Sequence, residues 1–158
     1  MSRLSVHYST LLPEVFNKQL DFSHALHKAP LDANLRELVN LRLSQINGCA
    51  YCLDMHARAL LEAGEDLQRL LMVPAWRESS FFTPRERAAL DWAECVNARD
   101  EEAQDASFAE LTKHFDEKEI AALTYIVALI NSWNFMNVAL QTPVARKPMP
   151  EPKLKKAS

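Results

Sequence analysis

Apolar residues recur along this chain at intervals of three and four, and no segment keeps the two-residue alternation of a half-buried strand. The first run carries Val15, Phe16, Leu20, Phe22 and Leu26 behind Pro13 and Glu14, and stops at Ala29-Pro30. Asp32 is placed to cap a second helix, with Leu35, Leu38, Val39, Leu41 and Ile46 on a broad stripe. Asn47-Gly48 breaks it. A third helix then begins near Cys49 and ends at Gly64, a residue suited to the left-handed position past a helix end. Thr83-Pro84-Arg85-Glu86 combines an N-cap, a proline at the first helical position and a capping-box glutamate, which predicts a helix to about Ala98. A short helix over Ser107 to Phe115 follows, then a long one, opened by the Asp116/Glu119 capping box and reaching Leu140. Residues 73–82 read as a loop, with Trp76, Phe81 and Phe82 folded onto the body.

The long last helix is apolar nearly all round, from Ile120 through Leu123, Ile126 and Ile130 to Val138. Such a helix is buried, and one small domain has too few elements to cover every side of it. The pattern therefore predicts an all-α fold of about six or seven helices that assembles as a homo-oligomer. Only two glycines occur in 158 residues, which also argues against hairpins and bulges. Length allows one domain, residues 1–142, with a core that needs neither disulfide nor metal. Residues 143–158 hold four of the eight prolines and set five basic residues against Glu151, as expected of a disordered basic tail.

The net charge is −3, and because the tail is basic the body is more acidic than the whole. An acidic body excludes phosphate backbones, so no nucleic-acid partner is expected. No apolar run approaches the roughly 20 residues of a membrane span, and His7, Tyr8 and Ser9 stand where a signal peptide needs apolar residues. The expected compartment is the cytoplasm. There, three cysteines with two in a C-x-x-C pattern read as redox or metal chemistry, not as a disulfide framework.

The chemistry lies in ELVNLRLSQINGCAYCLDMH, residues Glu37 to His56. Cys49 and Cys52 sit where a helix begins, and exposed N–H groups and the positive helix end favour a thiolate there. Three apart on a helix, the two can close a disulfide with little backbone movement. His56 follows Cys52 by one turn on the same face, within reach of its sulfur. An antiparallel return would bring Glu37 back towards His56. Carboxylate, imidazole and thiol together suit proton-coupled thiol chemistry. Cys52 takes the first attack in this reading, with Cys49 as the resolving thiol nearer solvent. The competing readings are reduced core cysteines, a solvated Glu37 paired with Arg36 or Arg42, and a Cys₂His zinc site with one open position. Cys95 reads as a core residue, and His24 and His27 as surface or packing residues.

These residues resemble the signature of the AhpD-like family, the alkyl hydroperoxidase D branch of the carboxymuconolactone decarboxylase superfamily. Its pattern is a Glu, eleven residues, then C-x-x-C-x-x-x-H, and Glu37, Cys49, Cys52 and His56 match every spacing. Asn131-Ser132-Trp133-Asn134 is similar to the Asn-rich turn of the family's last core helix, although Phe135 replaces the Arg that often follows. The resemblance implies an all-α trimer or hexamer acting as a peroxidase without a bound cofactor. The Cys at position 52 would reduce a hydroperoxide, Cys49 would form the disulfide with it, and Glu37 and His56 would relay protons. An external dithiol donor protein, lipoyl or thioredoxin-like, would restore the pair. Tyr51 stands where the well-studied peroxidases carry a second His, which simplifies the relay and puts a lipoyl donor in question. A redox-sensing disulfide switch without turnover is the alternative from a different class.

Overall fold

The computed structural model describes residues 2–151. Among them are eight α-helices and no strand: α1 (Tyr8–Leu11), α2 (Pro13–His27), α3 (Ala33–Ile46), α4 (Ala50–Glu62), α5 (Leu67–Met72), α6 (Pro84–Ala98), α7 (Glu101–Leu111) and α8 (Glu117–Leu140). A 3₁₀ turn, Val73–Ala75, continues α5. The boundaries follow local chemistry. The Asp32 side chain accepts from the Leu35 N–H at 2.9 Å and starts α3. Thr83 with Glu86, and Asp116 with Glu119, form complete capping boxes at α6 and α8. Gly48 and Gly64 hold the positive φ that the turns after α3 and α4 require.

α3 and α8 are the central pair. α4 and α6 pack on both, α2 lies on α8, and α7 covers α6. Leu38, Val39, Leu41, Leu43, Leu60, Leu61, Leu90, Leu123, Ile126 and Val127 form the deepest part of the core. The loop after the 3₁₀ turn is pinned by arginines. Arg87 donates to the carbonyls of Trp76, Arg77 and Ser79, and Arg69 to that of Phe81 and to Glu86.

Three expectations are corrected here. The helix expected over Ser107 to Phe115 is α7, Glu101–Leu111, because the Asp100 side chain caps it at Ala103 N–H, six residues earlier than the apolar spacing suggested. Of the loop aromatics, Trp76 and Phe82 are buried but Phe81 is 42 % exposed. α8 is long and apolar enough, by length and composition, to cross a bilayer, since the polar residues that interrupt its apolar runs carry no charge. In the fold it is a core helix, with Asn134 and Asn137 buried among its apolar residues.

Residues 143–151 form neither helix nor strand, and Arg58 on α4 donates to the carbonyls of Lys147 and Pro148 at 3.0 and 2.7 Å. The basic tail expected from residue 143 onwards continues through Lys153, Lys155 and Lys156, which lie outside the described residues.

Candidate functional site

Everything at the site depends on how α3 ends and α4 begins. Asn47 closes α3, and its Nδ2 faces the side-chain oxygens of Asn97, Asn131 and Asn134 at 3.3, 3.1 and 2.9 Å. Asn134 in turn donates to Ser44 Oγ. The turn is thus tied to α6 and α8 by amides in an apolar interior, where such bonds are costly to leave unmade. Gly48, at φ +68°, then reverses the chain.

Cys49 is the N-cap of α4, and its Sγ accepts the Cys52 N–H at 3.2 Å. The two sulfurs are bonded as a disulfide, with Cα atoms 5.3 Å apart. Both cysteines are only 1 % exposed, and it is Cys52 that borders the neighbouring cavity. The expectation that Cys49 lies nearer solvent is therefore corrected.

The return of α4 along α3 brings Glu37 to His56, with His56 Nδ1 2.7 Å from Glu37 Oε2. Burial works to raise the Glu37 pKa, but the His56 hydrogen bond and charge, with Arg36 beside it, outweigh burial and hold the carboxyl below its usual range. An ionised carboxylate only accepts, so Nδ1 carries a proton and donates it to Glu37, which leaves Nε2 as the ring nitrogen facing away from that pair. Among the described residues Nε2 is buried without a hydrogen-bond partner. The bond expected between His56 and the Cys52 sulfur is not made in this disulfide form, in which neither sulfur has a proton to offer.

The Cys52 sulfur does have a donor, Asn137 Nδ2, at 3.5 Å. Trp133 C=O can only accept, so its 3.0 Å contact fixes which end of the Asn137 amide is nitrogen. Asn137 Oδ1 then accepts from Tyr8 O–H at 3.3 Å. Burial first, and Tyr51 second, push the Tyr8 phenol up, which keeps it protonated as a donor. Tyr8 is delivered by the first residues of the chain, where Arg3 N–H and guanidinium bond the last carbonyls of α8.

A cavity of about 420 Å³ opens beside Cys52. Phe16, Leu20, Met55, Leu129, Ile130 and Trp133 give it apolar walls, and its polar groups include Tyr8, Arg36, Glu37, His56 and Asn137.

The four residues singled out in the sequence thus gather in two bonded pairs, Cys49 with Cys52 and Glu37 with His56. Glu37 lies 3.5 Å from Arg36, while Arg42 pairs instead with Glu94. His24 and His27 line the cavity, and Cys95 is half-buried on α6, apart from the site. Among the described residues no group of three or more His, Cys, Asp or Glu side chains stands at metal-binding spacing. Sequence reasoning passed over Asn137 and Tyr8. Asn131, Asn134 and Asn137, three apart in the most apolar helix of the sequence, were the available signal for the first. Tyr8 gave none.

The carboxymuconolactone decarboxylase family model matches residues 13–94, from the start of α2 to Glu94 on α6. The uncharacterized protein YdfG of Bacillus subtilis is 33 % identical over 90 % of this chain and 97 % of its own. A crystal structure from Agrobacterium tumefaciens, described as a protein of unknown function and a candidate antioxidant defence protein AhpD, superposes with a TM-score of 0.87. It is 31 % identical over 93 % of this chain and all of its own. An uncharacterized peroxidase-related protein from Silicibacter gives a TM-score of 0.72 at 25 % identity, covering 79 % and 67 % of the two chains. By family match, fold and paired cysteines together, the chain belongs to the carboxymuconolactone decarboxylase family, in its AhpD-like branch.

Proposed function

We propose that this protein is a thiol-dependent peroxidase that reduces hydroperoxides through Cys52. One observation carries the reading: Cys52 borders an apolar cavity with its sulfur bonded to Cys49, one helical turn from an imidazole whose Nδ1–H is held by Glu37. In the reduced protein His56 Nε2 takes the Cys52 thiol proton. The thiolate attacks the terminal oxygen of the hydroperoxide; an S–O bond forms as the O–O bond breaks, and sulfur supplies the two electrons. The departing alkoxide takes the proton back from His56 and leaves as the alcohol. The Cys49 thiol then displaces the sulfenic hydroxyl, its proton leaves with that group as water, and the disulfide closes. An external dithiol, lipoyl or thioredoxin-like in class, returns two electrons and two protons.

The test is peroxide consumption by reduced protein with dithiothreitol as donor. Wild type should turn over, and Cys52→Ser should not, because a serine hydroxyl is not ionised near neutral pH. Cys49→Ser should react once and stall as a sulfenic acid that a dimedone probe traps. His56→Ala and Glu37→Gln should each slow the reaction roughly 10²–10⁴-fold, and the double variant no more than the worse single one, since both serve one relay. Full turnover in both cysteine variants would remove the site from the chemistry. Wild type that oxidises once and is not recycled by the dithiol would make the pair a redox switch.

A further inference from the structure

Arg36 is a buried charged residue with a single, poorly aligned partner. It is 9 % exposed, lies on α3 one position before Glu37, and lines the cavity. Among the described residues its guanidinium has one partner, the Glu37 carboxylate beside it. Nε, fully buried, is 3.5 Å from Glu37 Oε1, an ion-pair distance without the alignment of a bond. Glu37 meanwhile gives its other oxygen to His56. Five N–H donors in a fork this deeply buried are costly unless something accepts from them, and the group that matches the fork is a carboxylate. Nη1 and Nη2 are not among the fully buried unpartnered atoms, so they keep some accessible surface, and Arg36 lines the cavity. His24 and His27 of α2 line the same cavity.

The remainder of the cavity has a different chemistry. Leu20, Leu129, Ile130 and Trp133 run along α2 and α8, and Cys52 enters from α4. A ligand filling such a space needs an apolar body and one anionic end. We propose that Arg36 is a carboxylate subsite on the α2–α3 side of the cavity, and that the molecules taken up are amphipathic organic acids. Joined to the peroxidase reading, on which this part rests, the substrate class is the hydroperoxides of such acids, with the acid group on Arg36 and the apolar body along α8. Binding of the acid itself does not depend on that reading.

The experiment is a calorimetric titration of the full chain with octanoate, octanol and acetate, probes that carry no peroxide. Octanoate should bind roughly 10-fold or more tightly than octanol, the size of one charge-assisted hydrogen bond, and acetate should bind too weakly to measure. In Arg36→Gln the preference for octanoate over octanol should vanish, and in Arg36→Lys it should return in part. Equal affinity for octanoate and octanol in wild type overturns the subsite whether or not any variant folds. A preference that survives in folded Arg36→Gln overturns the assignment to Arg36, and acetate binding as well as octanoate overturns the amphipathic class. Should Cys52→Ser retain peroxide turnover, the peroxidase reading fails while this titration stands unaffected.

Discussion

Asn137 shows what a single side chain contributes at this site. Its amide nitrogen is the hydrogen-bond donor to the Cys52 sulfur, and Tyr8 and Trp133 together fix its orientation. A bond to a charged acceptor is worth about 1.5–3 kcal/mol, so it favours the thiolate by roughly one to two pKa units. In a background where Cys52 is the sole cysteine, Asn137→Ala should raise the pH midpoint of iodoacetamide alkylation by about that much. Tyr8→Phe should move it the same way by less. Glu37 gives a second expectation. Its folded pKa lies below the ordinary carboxylate value, so the stability it contributes is present above that value and lost as pH falls through the folded one. Glu37→Gln should therefore lower the urea midpoint at neutral pH, and the gap to wild type should close on acidification from about pH 5 downwards. Cys49, Cys52, His56 and Glu37 were legible in the sequence because helical spacing alone puts three of them together and one loop returns the fourth. Asn137 and Tyr8 were not, because only packing brings Asn137 of α8 to the sulfur, 85 residues away, and Tyr8 to Asn137, 129 residues away.

Helix termini were the most legible part of the fold where caps announce them, as at Asp32, Thr83 and Asp116, and least so at α7, where apolar spacing ran on past the Asp100 cap. α5 had too short an apolar run to stand out, and only the Asp66 side chain on Gln68 N–H marks its start. The turn between α3 and α4 depends on one glycine. A Cβ built on Gly48 meets nothing within 4 Å, so Gly48→Ala carries only the backbone penalty of a left-handed φ, about 1–2 kcal/mol. Arg99 ends α6 in the same left-handed region without being glycine. Arg99→Gly should relieve that strain and raise stability by up to about 1 kcal/mol. Thermal or urea unfolding of the two variants should shift in opposite directions; a shift of the same sign would show that side-chain contacts, and not φ, decide both turns.

At the scale of the whole molecule, apolar surface remains that the described residues do not cover. Tyr125, Phe135 and Val138 on α8 are exposed, as are Val15 and Phe22 on α2, with Phe22 packed edge-on against Tyr125. Surface of this kind on a core helix suits a contact between copies of the chain. Wild type should sediment as an oligomer at micromolar concentration. Phe135→Glu, which places a charge on that face without touching the core, should shift it towards the monomer. A wild type that sediments as a monomer would show that α8 needs no partner.

The atom that caps α4 is also one half of the disulfide, and this ties helix formation to electron count. A thiolate accepts from a helix N–H, and answers the positive helix end, more strongly than a neutral disulfide sulfur does. Folding and reduction therefore form the edges of one thermodynamic cycle with Cys49 Sγ at its corner. Whatever frays the first turn of α4 withdraws support from the Cys49 thiolate and tilts the balance towards the oxidised pair; whatever firms that turn makes the pair a stronger oxidant. The helix is thereby a resident cofactor of its own cysteines, with its potential adjustable by substitutions that touch neither sulfur.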